Sequence, residues 1–391
     1  MLKRFTIGVM GGGQLGRMLA QAAQVLGMRV IVLDPQAEGP ASQVADQHMQ
    51  AAYDDPAALD RFAEACDAIT TEFENVPALS LKQIARDKPV CPAADAVAIA
   101  QDRWCEKSFF SAQQLPTAPF ALLALDGHGN TDAALQACRH VPFPAILKTR
   151  RLGYDGKGQL TVKCFENLSK AWAELGFVDC VLEERLDLQV ELSVVLARGR
   201  NGQIRVYPPI ENLHRHGILA RSYFPSRRAK RLAPEAIERA SRLAEALDYH
   251  GVLCVEFFVV GPPDDEGHWQ LLANEMAPRP HNSGHVTLDA CSVSQFEQQA
   301  RVLAGLPLGI TEPHAAACLL NLLGECWFDH DGHLCEPDWA KLLAIDGLHL
   351  HLYGKHEARI GRKMGHITIC ASSEALVDDS VAMALSILDR S

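Results

Sequence analysis

Two glutamates stand inside apolar runs, where an unanswered charge is costly. G-V-L-C-V-E-F-F-V-V at 251–260 is broken only by Glu256, and W-Q-L-L-A-N-E-M-A at 269–277 carries Asn274 and Glu275. Between them lies the turn G-P-P-D-D-E-G, and the midpoint of 256 and 275 falls between Asp265 and Glu266, within that turn. A hairpin therefore sets the two carboxylates close to opposite each other, give or take a bulge. Like charges across a strand pair are destabilising, and burying them costs more. A divalent cation removes the conflict, and oxygen donors beside phosphates suit Mg²⁺. The plain alternative is a pair of solvated glutamates, against which the apolar flanks argue. Directly downstream, M-A-P-R-P-H-N-S-G-H crowds Arg279, His281, Asn282 and His285 into a loop pinned by two prolines. Arginine offers a fixed fork to a planar oxyanion, and Asn and His add donors, so bicarbonate or a carboxylate would fit; an ordinary polar turn is the other reading.

Four further stretches carry ligand-contact chemistry, three of them for anions. Lys148 ends the run P-F-P-A-I-L-K, shortly before R-R-L-G-Y-D-G-K-G-Q with Gly153, Gly156 and Gly158. Such a loop can be a simple hairpin, or it can lay backbone N–H groups over a phosphate chain beside the lysine. No G-K-[ST] opens a helix here, so it is not a Walker loop. The turn G-G-G-Q-L-G at 11–16, with Asp34 ending the next apolar run, matches the dinucleotide fingerprint, although any helix N-terminus facing an anion has the same needs. The segment 67–73 ends in E-F-E-N-V-P, where Glu72, Glu74 and Asn75 are candidate hydroxyl or amine contacts or simply a polar strand exit. Near the end of the chain, Lys355, Arg359, Arg362 and Lys363 make a basic turn between 349–355 and 366–370, either solvated or a seat for a phosphate.

The elements that must position these residues follow from spacing. Residues 6–10 and 29–33 read as strands, and Leu15, Met18, Leu19, Ala22 and Leu26 recur at helical spacing between them, stopping at Gly27. That is a βαβ start. A helix-like stretch runs from about Ala94 to Gln114, and a new domain begins near residue 100. From 142 the pattern changes to strands joined by glycine-rich or polar turns. C-V-L-E-E at 180–184 and the R-L-D-L-Q-V-E-L that follows could be a linker for an adenine with a ribose carboxylate beyond, or solvated acids at a strand end. The domains expected are 1–100, 101–305 and 306–391.

Composition bounds the function. The chain has 391 residues, 37 basic against 48 acidic, a formal charge of −11 and 48% hydrophobic content. The acidic balance argues against a nucleic-acid backbone as the main partner. No apolar run approaches a membrane span, and the N-terminus enters its glycine turn without the apolar stretch of a signal peptide. None of the twelve cysteines form C-x-x-C pairs, which reads as buried or idle thiols in a reducing compartment, with the cytoplasm as default.

Taken together, Lys148, G-Y-D-G-K-G-Q at 153–159, V-L-E-E at 181–184, Glu191 and the Glu256/Glu275 pair resemble the ATP-grasp carboxylate–amine ligases. More narrowly, G-G-G-Q-L-G-R-M at 11–18, T-E-F-E-N-V at 71–76, N-E-M-A-P-R-P-H-N-S-G-H at 274–285 and G-R-K-M-G-H-I at 361–367 are similar to the N5-carboxyaminoimidazole ribonucleotide synthetase family of purine biosynthesis. The resemblance runs in order from residue 8 to about 370. It implies mixed α/β and α+β architecture: a Rossmann-like N-terminal domain, a central ATP-grasp domain and a small β-rich C-terminal domain. It also replaces the dinucleotide reading of the glycine turn, because in this family that domain helps hold the aminoimidazole ribonucleotide.

By the same resemblance Gln14, Leu15 and Glu72 meet that substrate, and Lys355 and Arg362 hold its phosphate. The ATP contacts implied are Arg103, Lys148, the loop Gly153, Tyr154, Asp155, Gly156, Lys157, Gly158 and Gln159, then Glu183, Glu184, Arg185, Leu186, Glu191, His214, Asn274 and Glu275. Lys148 and the loop would meet the phosphates, Glu183 and the backbone near Leu186 the adenine, and Glu191 the ribose. Glu256 and Glu275 would hold Mg²⁺, and Arg279, His281 and Asn282 would position bicarbonate. Many ATP-grasp relatives place Asn two residues after the second metal carboxylate, where this chain has Ala277; Asn274 or Asn282 could compensate. The implied reaction is ATP-dependent carboxylation of aminoimidazole ribonucleotide through carboxyphosphate by a homodimer. The rivals are other ATP-grasp ligases such as biotin carboxylase or the formate-using glycinamide ribonucleotide transformylase, an inert nucleotide-binding regulator, and an NAD oxidoreductase.

Overall fold

The structure is a computed structural model that describes residues 4–125, 131–153 and 156–389. Among these residues the strands form three sheets. The first is parallel, built from β1 (Thr6–Met10), α1 (Gln14–Val25), β2 (Arg29–Asp34), β3 (Gln47–Gln50), α2 (Pro56–Ala65) and β4 (Ala68–Thr71), in the order β3-β2-β1-β4. Its central strands are covered on both faces. Ile7, Val9, Val30 and Val32 pack with the α1 side, and Met10, Ile31, Leu33 and Ile69 pack with Leu59 and Phe62 of α2. Such two-sided burial is why these strands read as continuous apolar runs. Gly27 closes α1 at φ +76°, a conformation that favours glycine.

Two short helices, α3 (Ala78–Ile84) and α4 (Ala94–Ala100), lead to α5 (Arg103–Ala112). The single helix expected from 94 to 114 is thus broken at Gln101–Asp102. Asp102 leaves the helical conformation and caps α5, accepting the Trp104 and Cys105 N–H groups on its carboxylate. It is fully buried and also takes Arg150 and Arg151, so the break ties α5 to the glycine-rich loop.

The second sheet runs β5-β8-β6-β7, from β5 (Phe120–Leu123), β6 (Ala145–Thr149), β7 (Gln159–Val162) and β8 (Cys180–Glu184). Helices α6 (Thr131–Ala137) and α7 (Leu168–Glu174) back it, with Trp172 fully buried.

The third sheet has nine strands. β9 (Leu188–Arg198), β10 (Ile204–Val206), β11 (Ile210–Arg215), β12 (Ile218–Phe224), β13 (Gly251–Val260) and β14 (Gln270–Ala277) come from the middle of the chain, with α8 (Ala233–Ala246) across one face. After α9 (Thr287–Ala290) and α10 (Gln295–Ala304), the strands β15 (Ala316–Leu323), β16 (Leu348–Leu352) and β17 (Lys363–Ala371) continue the same sheet, in the order β14-β13-β9-β11-β12-β15-β17-β16 with β10 on β9. Helices α11 (Trp339–Leu343) and α12 (Glu374–Leu388) complete the C-terminal segment. Alternation along β9 and β13 sends Leu192, Val194, Val255 and Phe257 into one core, while Glu191, Ser193, Cys254, Glu256 and Phe258 point to the other face. Buried Gln299 of α10 joins the sheets: it accepts the Val252 N–H and donates to Thr70 of β4.

Candidate active site

The hairpin of β13 and β14 places Glu256 directly opposite Glu275, with a register shift immediately after the pair. Glu256 is largely buried, and burial together with the Glu275 charge raises its carboxyl to about 8. Two chain groups answer the pair in part. Arg103 Nη1 lies 3.2 Å from Glu275, and His281 Nε2 lies 3.2 Å from Glu256 Oε1. Across the same face, His214 Nδ1 of β11 meets Glu191 Oε2 of β9 at 3.0 Å. Burial works against the charged imidazole there, but the Glu191 hydrogen bond and charge outweigh it and raise His214.

These groups open onto a cleft of about 1110 Å³ that all three sheets border. Lys148, Gly153, Gly156, Lys157 and Gln159 wall it from the second sheet; Gln14, Leu15 and Glu72 from the first; Lys355, Arg359, Arg362 and Lys363 from the C-terminal turn. Asn274, Glu275, Arg279, His281 and Asn282 lie at its floor, with Ile146, Leu188 and Phe258 as apolar wall. Tyr154 and Asp155 lie outside the described residues. Gly156 and Gly158 take φ +77° and +71°, and Gly156 packs beside the Gly217 turn of β11–β12, so the loop reaches across the cleft. Gly158 sits against Thr149 and is not among the walling residues.

Some of the expected ATP residues stand behind the wall. Glu183 is buried between two lysines, 3.0 Å from Lys107 Nζ and 3.1 Å from Lys148 Nζ. Burial opposes its charge, but the two lysines hold its carboxyl down at about 2. Burial lowers Lys148 in turn, against the pull of Glu183. Glu184, Arg185 and Leu186 do not face the cleft; the Glu184 and Arg185 N–H groups donate to Pro119 and Pro144 carbonyls. β8 runs between β5 and β6, so Glu183 is covered, while Glu184 at its end is half-buried and Arg185 beyond it is exposed.

The N-terminal glycine turn is closed by the chain itself. Glu72 accepts from Gly13 N at 2.6 Å and Gly16 N at 2.8 Å, putting a carboxylate where a dinucleotide would place its phosphates. Asp34 takes Gly12 N and Tyr53 Oη, both at 2.6 Å, and is not free for a ribose. Glu74 pairs with Arg279, and the arginine outweighs the burial cost to hold Glu74 at about 2. Burial and the Arg279 charge drive His281 well below the usual imidazole range, so its ring is neutral.

Sequence reasoning passed over Glu106 and Lys107. Glu106 accepts the Met276 N–H at 2.7 Å, and burial plus Glu275 raises it to about 8. One turn earlier on α5, Arg103 reaches Glu275, so α5 grips β14 beside its carboxylate. The helical spacing of 103, 106 and 107 was visible in sequence, but their partners were not. Asn282 has both amide atoms buried with no partner among the described residues. Two opposed carboxylates with an unmet amide oxygen nearby form a hard oxygen donor set, so the residues fit a divalent cation such as Mg²⁺.

An antiparallel hairpin bearing paired carboxylates, facing a glycine loop and a buried lysine on a separate small sheet, defines a nucleotide-dependent ligase of the ATP-grasp class. The ATP-grasp domain model matches residues 108–296, the ribonucleotide synthetase preATP-grasp domain model 4–101, and the phosphoribosylaminoimidazole carboxylase C-terminal domain model 317–380. The N5-carboxyaminoimidazole ribonucleotide synthase of Brucella melitensis is 46% identical over 93% of this chain and 95% of its own. The crystal structure of the synthetase from Thermus thermophilus superposes with TM-score 0.87 at 41% identity, covering 98% of each chain. That of the Aspergillus clavatus synthase, in complex with ADP and 5-aminoimidazole ribonucleotide, gives TM-score 0.87 at 28% identity over the full length of both. The chain belongs to the N5-carboxyaminoimidazole ribonucleotide synthase family. No helix among the described residues is long and apolar enough to cross a membrane.

Proposed function

We propose that the protein uses ATP and bicarbonate to carboxylate the exocyclic amine of 5-aminoimidazole ribonucleotide, releasing ADP and phosphate, in purine biosynthesis. The observation that carries this reading is that one cleft gathers a nucleotide wall, an oxyanion loop and a basic turn. In the first stage a bicarbonate oxygen attacks the γ-phosphorus, the bond to the β–γ bridging oxygen breaks, and carboxyphosphate and ADP form. Lys148 and the amides of the 153–159 loop position and neutralise the phosphates, while Glu191 is placed for the ribose and His214 is held beside it. Mg²⁺, held by Glu256 and Glu275 with Asn282 near, would supply charge neutralisation at the phosphates. In the second stage the amine nitrogen bonds to the carboxyl carbon, phosphate leaves, and the amine proton is lost. Arg279 and neutral His281 orient the bicarbonate, and the glycine loop keeps out water that would destroy carboxyphosphate. Lys355 and Arg362 seat the ribonucleotide phosphate, with Gln14, Leu15 and Glu72 beyond it.

The same reading expects working segments 1–100, 101–305 and 306–391 and a cytoplasmic homodimer, which sedimentation would check. The test of function is ADP release with MgATP, bicarbonate and the ribonucleotide, each omitted in turn. Release that needs the ribonucleotide for full rate, with the carbamate product trapped, is expected. Indifference to the ribonucleotide would overturn the reading and direct attention to biotin or glycinamide ribonucleotide as acceptor.

A further inference from the structure

The oxyanion loop and the basic turn belong to distant parts of the chain, yet one buried group of side chains links them. Gln295, the first residue of α10, is fully buried. Its Oε1 accepts the His281 N–H at 2.9 Å and its Nε2 donates to the His281 carbonyl at 2.7 Å, as a neighbouring strand would. These two bonds fix the orientation of the amide, so the same Nε2, 3.1 Å from His285 Nδ1, makes that nitrogen an acceptor. Gly284 permits the approach: a Cβ there would fall 2.4 Å from Gln295 Oε1.

From His285 the contacts run to the other substrate's side. Its ring centre lies 5.1 Å from that of His366 and 6.4 Å from that of Tyr353. Tyr353 Oη meets His366 Nδ1 at 2.9 Å, and two residues further on Lys355 holds its ammonium 5.6 Å from the Tyr353 ring. His366 sits directly across the β16–β17 ladder from His351, whose Nε2 is 2.9 Å from Asp289 of α9. His285, His366 and Tyr353 are all buried. Burial holds both histidines well below the usual imidazole range, so the rings are neutral, and it is Nδ1 of each that makes the contacts just described.

We propose that Gln295, His285, His366 and Tyr353 form a positioning brace that holds the bicarbonate loop at a fixed offset from the ribonucleotide turn, independently of the nucleotide wall. None of the four is required to touch substrate: Gln295 acts through the His281 main chain, and Tyr353 through the chain just past β16 that leads to Lys355. The proposal rests on the function given above.

The test uses Gln295→Met, which keeps the volume but removes every amide hydrogen bond, and Tyr353→Phe, which removes one hydroxyl. Gln295→Met should raise KM for bicarbonate about tenfold and lower the yield of product per ADP, with KM for ATP unchanged. Tyr353→Phe should raise KM for the ribonucleotide about threefold to tenfold, again with KM for ATP unchanged. Equal shifts in all three KM values, or a lowered Tm with all KM values unchanged, would overturn the brace. Should Gln295→Met fail to fold, the ribonucleotide-against-ATP split in Tyr353→Phe decides alone. A wild-type enzyme indifferent to the ribonucleotide would overturn the function reading instead, before any variant is compared.

Discussion

Two pairs of carboxylates in this molecule are treated in opposite ways. At the N-terminal turn, Glu72 is met by two backbone N–H groups, and on β8 Glu183 is met by two lysines. On β13 and β14, Glu256 and Glu275 face each other, with Arg103 and His281 each 3.2 Å from one of them among the described residues. The first kind is settled by the chain and holds the fold together. The second is left unsettled on the cleft side, a conflict that a cation would relieve under the function proposed above. Both the partners of a carboxylate and its opening to the cleft thus separate the two kinds.

Breaking the unsettled pair should have the largest effect. Glu275→Ala is expected to cut turnover by at least a hundredfold while the protein folds with an unchanged or raised Tm, since a like charge is removed. ADP release alongside thermal unfolding checks it, and near-normal activity would remove the metal assignment. The settled carboxylates should respond in reverse. Glu183→Gln leaves Lys107 buried without its counter-charge and should cost about 3–5 kcal/mol at neutral pH. Its pH dependence has a definite sign. The folded-state pKa of Glu183 is depressed to about 2, so the carboxylate's stabilising contribution is present above the ordinary glutamate range and is lost as pH falls towards about 2. The gap between wild type and variant in denaturant unfolding should therefore narrow over that acid range. A gap independent of pH there would mean that the lysines do not hold Glu183 ionised.

Glu72→Gln turns one acceptor into a donor against the α1 N-terminus and should cost about 1–3 kcal/mol. A change in ribonucleotide KM without a fall in stability would move Glu72 from the framework group to the functional one. The smallest change is expected from Arg362→Ala, which should raise ribonucleotide KM about tenfold and leave ATP KM alone. Equal effects on both substrates would remove the phosphate-seat role.

The Glu256/Glu275 juxtaposition was legible because a hairpin's register follows from counting outward from its turn, and the structure pairs those two residues. The βαβ start was legible from periodicity, with β1 and β2 covering the residues expected. The closure of the glycine turn was not, because Glu72 reaches it from just past the end of β4, more than fifty residues away. Lys107 looked like any helical lysine until Glu183 on another sheet was placed against it. Asp102 did carry a local signal, an N-cap type ahead of an amphipathic stretch, and the unbroken apolar spacing from Ala94 masked it. Gln295 offered no signal, since its two bonds to His281 depend on how α10 returns beneath the loop.

The continuation of the central sheet into β15, β17 and β16 means that no clean cut exists after α10. A chain ended there would leave β12, paired on one side only with β11, as an open template of unmet N–H and C=O groups. Truncates lacking the last third of that sheet are therefore expected to self-associate along β12, and any shortened version of this enzyme would have to carry a substitute strand of its own.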